Sequence, residues 1–110
     1  MKPCEIYKKE INLLADELKE ARIPFSKRRL YDGWQIIVKT KSGRHRLSAI
    51  CHGGSYGHFN GLLEIMGGLT IAERKEETRV VGYLYADEVF KRFRYCYERD
   101  TDCYVSEEAR

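Results

Sequence analysis

Apolar residues recur at Tyr7, Ile11, Leu14 and Leu18, and these steps of four, three and four fall on one stripe of a helix. The pattern predicts a helix over residues 3–21 with Lys and Glu on its other face. Its charge pairs are only partly favourable, so tertiary packing has to hold it. Ile23-Pro24 ends it, because the residue before a proline avoids the α region. The period then changes from helical to alternating. Residues 25–31, 34–40 and 45–51 read as three strands, with Asp32-Gly33 as a strong hairpin signal and Ser42-Gly43 as the second turn.

With Ser42-Gly43 at the tip, Val38 lies opposite Leu47, Ile36 opposite Ala49 and Trp34 opposite Cys51, which gives one coherent apolar face. The reverse face then carries Gln35, Ile37, Lys39 and Lys41 beside Arg44, Arg46, Ser48 and Ile50. The first strand fits less well, because a tight Asp32-Gly33 turn puts Lys27 and Arg29 on the apolar face. A bulge, a slipped register or an edge position with long side chains reaching solvent would each resolve this.

Residues 49–68 hold six of the nine glycines, a density that implies positive φ angles or a close approach to the backbone. Within this stretch, residues 62–66 are too short to classify, and Gly67-Gly68 has the form of a helix stop. Thr70-x-x-Glu73 has the form of a capping box, opening a short helix to about residue 77. Residues 78–84 read as a fourth strand. A second main helix covers 87–99, with Val89, Phe90, Phe93, Cys96 and Tyr97 on one stripe. The expected fold is therefore α+β: a three- to four-stranded antiparallel meander with an N-terminal and a C-terminal helix on one face. Residues 1–99 form a single domain, and residues 100–110 form a polar tail that frays.

Composition narrows this picture modestly. With 43% apolar and 34% charged residues the chain reads as an ordinary globular protein. No apolar run approaches the ~20 residues of a membrane span, and the first residues lack the apolar core of a signal peptide, so a cytoplasmic protein with no membrane partner is expected. Cys4, Cys51, Cys96 and Cys103 form no C-x-x-C pair, and no structural disulfide is expected. The net charge of +3 decides nothing by itself, but the middle of the chain is positive while Asp100, Asp102, Glu107 and Glu108 crowd the end.

Four constellations could carry chemistry. Cys51 with His52 or His58 would make a thiol nucleophile and its base, but strand alternation sends Cys51 into the core and His52 the other way. His45, His52 and His58 with any of the cysteines lack the two closely spaced ligand pairs of a zinc site, Cys96 and Cys103 being separated by six residues, so no metal or cofactor is expected. The run from His52 to Gly57 could aim N–H groups at an anion, yet it matches neither phosphate-binding glycine motif, and a tight connection is the simpler reading. Tyr56, His58 and Phe59, together with His52, also suit a partner-binding loop, since aromatics on a shaped loop make good anchors. The reverse sheet face offers Arg28, Lys39, Lys41, Arg44 and Arg46, a cationic platform for phosphates, although it has no stacking aromatic of the kind RNA-binding sheets use.

The order helix, three strands, helix has the look of double-stranded-RNA-binding domains, a likeness of topology alone. A likeness at sequence level lies in Leu-Tyr-Asp-Gly-Trp-Gln-Ile at 30–36, Ala-Ile-Cys-His-Gly-Gly-Ser-Tyr-Gly at 49–57 and Gly-Leu-Leu-Glu-Ile-Met-Gly-Gly at 61–68. These runs resemble a group of small uncharacterised proteins of phages and mobile elements of Gram-positive bacteria. The resemblance carries no assigned activity and implies an accessory product that acts by binding. The leading expectation is thus a non-enzymatic protein that recognises nucleic acid or a nucleic-acid-handling protein. A protein–protein inhibitor or adaptor is the second, and a cysteine-dependent enzyme the third.

Overall fold

The computed structural model describes residues 5–75 and 79–106. Its first element is α1, Ile6–Glu20, which buries Tyr7, Ile11, Leu14 and Leu18 as the stripe predicts. The helix closes before Pro24. Arg22 takes a left-handed φ of 59°, and the N–H groups of Arg22 and Ile23 reach back to the carbonyls of Lys19 and Leu18. That geometry buries Ile23 directly beneath the helix end.

Five strands follow: β1 Ser26–Leu30, β2 Gly33–Lys39, β3 Arg46–Cys51, β4 Leu63–Met66 and β5 Val81–Leu84. They form one antiparallel sheet in the order β1-β2-β3-β4-β5, so every neighbour in the sheet is also a neighbour in sequence. The β2–β3 register is the one the apolar pairs require, with Trp34 opposite Cys51, Ile36 opposite Ala49 and Val38 opposite Leu47. The strand count corrects the expected three to four. Leu63 and Ile65 are fully buried while Glu64 and Met66 face the other way, a period of two in a segment of only four residues.

The β1–β2 hairpin also differs from expectation. Leu30 pairs with Gly33, so the two turn residues are Tyr31 and Asp32, and Tyr31 carries the left-handed φ of 53°. Gly33 is required for another reason: a Cβ there would fall 1.9 Å from the Cys51 carbonyl oxygen. The backbone at the end of β3 therefore approaches the start of β2 too closely for a side chain there. Lys27 and Arg29 do lie on the helix side; the register differs from the expected one by two residues, which keeps the same face, so it is the edge position of β1 that accommodates them. Their cationic groups sit 4.9 and 5.0 Å from the Trp34 ring centroid, and the Lys27 ammonium donates to Asn12 of α1 at 2.6 Å.

The capping box at Thr70 and Glu73 forms, with Glu73 N–H donating to Thr70 Oγ1 at 3.1 Å and Thr70 N–H to the Glu73 carboxylate at 2.7 Å. It opens α2, Ile71–Lys75; the rest of the expected helix, to residue 77, lies outside the described residues. Ala86–Arg99 forms α3, whose buried residues include Val89, Phe93 and Cys96. Both α1 and α3 pack on the same sheet face, against β2 in each case. Between them lies a buried carboxylate that the stripe pattern leaves unremarked. Glu10 is 4% exposed and accepts the N–H of Ala86 at 2.8 Å, so α1 caps the first turn of α3.

The expectation of a fraying tail is corrected at residues 101–104, which are tied to the fold, while residues 107–110 of that tail lie outside the described residues. Gly68 N–H donates to the Asp102 carbonyl and Tyr104 N–H to the Leu69 carbonyl, and the Tyr104 side chain joins the core. Arg92 locks this corner. Its guanidinium bonds both carboxylate oxygens of Glu73, at 2.8 and 3.1 Å, and the Gly68 carbonyl at 3.1 Å, and lies over the Tyr104 ring. The Glu73 carboxyl is held below its ordinary range chiefly by that hydrogen-bonded partner. No helix among the described residues is long and apolar enough to cross a membrane.

Candidate functional site: the outer sheet face

Alternation along the strands decides what the uncovered face presents. The register aligns Arg28, Gln35, Ile50 and Glu64 in one row across β1 to β4, and Ser26, Ile37, Ser48 and Met66 in the next. At about 4.8 Å per strand, the first row spans about 14 Å from cation to carboxylate. Together with Leu30, Tyr31, Arg46 and His52, most of these residues line a shallow trough of about 470 Å³. Lys39 is the Cα partner of Arg46 and extends the same face at its rim.

Polar contacts order the trough floor. Arg28 donates through Nε to the Gln35 amide oxygen at 2.6 Å, and Gln35 in turn donates to Ser48 Oγ at 2.9 Å. Arg28 is thereby aimed while its terminal nitrogens stay available. Among the described residues neither Arg28 nor Arg46 is in a salt bridge, in contrast to Arg92 with Glu73 and Arg74 with Asp102. Leu30, Ile50 and Met66 supply apolar area between the polar groups.

One end of the trough is aromatic. Tyr31, 81% exposed on its turn, meets the His52 ring edge-to-face at 5.1 Å between centroids. This supplies the stacking surface that the strand pattern lacks. His52 Nδ1 accepts the Gly54 N–H at 2.9 Å, which puts the neutral ring's proton on Nε2. Asp32, beside Tyr31 in the turn, accepts the Gly53 N–H at 2.8 Å and so fastens the loop carrying His52 to the turn carrying Tyr31.

The remaining sequence candidates are placed elsewhere. Lys41 lies 5.8 Å from the Tyr97 ring centroid on α3. The turn holding Arg44 is tied to the end of α3, where Ser42 donates to Asp100 at 2.8 Å through its hydroxyl. Hydrogen bonds from Thr40 and Ser42, with Arg44 nearby, hold the Asp100 carboxyl below its usual range. The basic set therefore divides: Arg28, Lys39 and Arg46 share the outer face, while Lys41 and Arg44 turn toward α3.

The glycine-rich loop divides in the same way. His58 leaves the trough side altogether, bonding Tyr7 of α1 through Nδ1 at 3.0 Å and stacking on Phe59 at 4.2 Å. Gly61 permits this docking, because a Cβ there would lie 2.5 Å from the Ile6 carbonyl oxygen. Phe59 projects at 85% exposure. Tyr56 is exposed, and its N–H donates to the Glu64 carboxylate at 2.9 Å. Cys51 is fully buried on the helix side, while His52 Nδ1 accepts the Gly54 N–H and His58 Nδ1 bonds the Tyr7 hydroxyl. Burial pushes the Cys96 thiol up to about 12, which removes it from neutral-pH thiolate chemistry. No group of three or more His, Cys, Asp or Glu able to hold a metal ion occurs among the described residues.

Residues 31, 64 and 66 escaped the sequence reading as site members. The sequence pattern puts Tyr31 at a strand end and Glu64 and Met66 in a segment too short to classify. Alternation of Leu63 and Ile65 with Glu64 and Met66 is the signal that points to them. Comparison with protein-family models, curated proteins and solved structures returns no match for this chain.

Proposed function

We propose that this protein is a non-enzymatic, cytoplasmic binding module whose outer sheet face holds a single-stranded segment of nucleic acid. The observation that carries the reading is the convergence, in one trough, of cations without ion partners among the described residues and an aromatic pair, one ring exposed and one half-buried: Arg28 and Arg46 with Tyr31 and His52. Cations alone on an antiparallel face are equally well explained as a solvated surface. Cations beside exposed rings are what a flexible strand needs, since its phosphates seek charge and its unstacked bases seek π-faces. A duplex fits this face less well, because its bases are already stacked and the rings of Tyr31 and His52 would have nothing to receive. The resemblance to accessory proteins of phages and mobile elements agrees with a product that works by binding.

Titrating labelled homopolymer oligonucleotides by fluorescence anisotropy at several salt concentrations tests this. With Arg28, Lys39 and Arg46 each neutralising a phosphate, log K should fall with log salt at a slope of about −2, and Arg28→Glu with Arg46→Glu should flatten the slope by about 0.7 per site. A wild-type protein with no salt-dependent binding to any single strand overturns the proposal.

A second reading draws on Phe59, which projects at 85% exposure from a loop anchored on α1 by His58 and Tyr7. Such a ring is a suitable protein-docking anchor. It lies apart from the trough residues, so the two readings can be separated by mutation.

A further inference from the structure

Glu64 is the one carboxylate lining a trough that otherwise offers Arg28, Arg46 and His52. An anion there opposes phosphate. It is also not neutralised: the ion pairs among the described residues are Lys8 with Glu5, His45 with Asp102, Arg74 with Asp102 and Arg92 with Glu73, and none involves Glu64. Its orientation is nonetheless fixed. Oε1 accepts the Tyr56 N–H at 2.9 Å, which aims the group while Oε2 keeps no partner among the described residues.

A fixed carboxylate is an acceptor without donors. Of the bases a single strand can splay onto a sheet, guanine presents two adjacent donors on its Watson–Crick edge, N1–H and N2–H, which match two carboxylate oxygens. Adenine and cytosine present one amino group there, each beside a ring nitrogen acceptor that would face the carboxylate repulsively. Uracil presents a single imide N–H between two carbonyls. Resting on the reading of the outer face as a single-strand platform, we infer that Glu64 selects guanine, with Arg28 and Arg46 taking neighbouring phosphates and Tyr31 with His52 taking a neighbouring base.

The Tyr56 contact makes the inference specific to this chain. Tyr56 belongs to the glycine-rich loop, so at this face the loop orients the reading group through Tyr56 and presents the His52 ring to the ligand. Glu64 also lies in the same cross-strand row as Arg28 and Gln35, so a base seated on it remains within the span of the cationic wall.

The experiment uses heptamers of uridine carrying one central guanine, inosine, adenine or cytosine, together with the all-uridine heptamer, bound to the full chain and to Glu64→Gln. Wild type should favour guanine at least about fivefold over adenine and cytosine, the size expected for one bidentate contact, with inosine, which lacks the N2 amino group, in between. Glu64→Gln keeps an oxygen for the Tyr56 N–H and should melt with the wild type. It should lose the guanine preference and bind the all-uridine heptamer more tightly, because a negative charge has left the trough. That opposite movement would not follow from a merely structural role. Equal affinity of wild type for all four heptamers, or a guanine preference that survives in Glu64→Gln, overturns the inference and leaves the platform reading standing. Absence of binding to every heptamer overturns both.

Discussion

The two faces of this sheet are built from the same strands, residue by residue, and follow opposite rules. On the helix side, Ile36, Val38, Leu47, Ala49, Leu63 and Ile65 are fully buried, and the polar group enclosed between α1 and α3, Glu10, is hydrogen-bonded. On the outer side, Arg28 and Arg46 have no ion partner among the described residues, a tyrosine stands in solvent, and a carboxylate is aimed with one oxygen bonded among the described residues. Ion pairing is available to this chain, as the Arg92–Glu73 fork shows. Its use away from the trough separates residues that hold the fold from residues left for something else to meet.

That separation can be broken by mutation, and the largest effect should come from the helix side. Phe93 is fully buried beneath the sheet, so Phe93→Ala should cost about 3–5 kcal/mol of folding free energy by denaturant titration. If the faces are independent, the variant should still bind oligonucleotide at temperatures where it remains folded.

Next in size is Arg92→Ala, expected to destabilise by about 2–3 kcal/mol, since it strands the partly buried Glu73 and frees the segment around Tyr104. This variant should also change the response to acid. A carboxyl whose folded pKa is depressed contributes stability above its unfolded value, and that contribution is lost as pH falls through the folded one. Wild type should therefore lose stability on going from pH 7 to pH 3 by more than Arg92→Ala does. Equal losses in the two proteins would detach Glu73 from acid sensitivity.

The smallest change in stability, and the sharpest contrast, is expected at Tyr31. Its left-handed backbone is unfavourable for a residue with a Cβ, so Tyr31→Gly should leave the fold unchanged or stabilise it by up to about 1 kcal/mol. The same substitution should weaken single-strand binding by about 1–3 kcal/mol through the lost stacking surface. A Tyr31→Gly protein that binds like the wild type would return the outer face to an ordinary solvated surface.

Sequence patterns carried the helix-side face almost completely, because burial imposes periodicity. The α1 stripe, the β2–β3 register and the Thr70–Glu73 capping box are each local consequences of side-chain spacing. The trough was less legible for identifiable reasons. In β4, two inward residues are too few to establish a period, and Gly67-Gly68 terminates a strand as readily as a helix. At the first hairpin, Asp32-Gly33 resembles a turn dipeptide, whereas Gly33 admits the close approach of the Cys51 and His52 backbone and the turn moves one residue back onto Tyr31. Lys41 and Arg44 share strand parity with the platform, but their turn is tied to Asp100, a residue too distant in sequence for periodicity to reveal. Glu10, lying among Tyr7, Ile11 and Leu14, was on the buried stripe all along; its partner, the first N–H of α3, is tertiary information.

The hydrogen bond from Gly53 to Asp32 has a kinetic meaning. It joins two loops, so if the outer face holds a single strand as proposed, the aromatic pair is assembled before that strand arrives. Each side chain ordered only upon association subtracts about 0.5–1.5 kcal/mol from affinity, and a clasp made in advance removes that subtraction for Tyr31 and His52. Asp32 touches no ligand in this scheme. Its influence would appear as residence time: severing the clasp leaves every recognition group in place but lets the complex dissociate sooner.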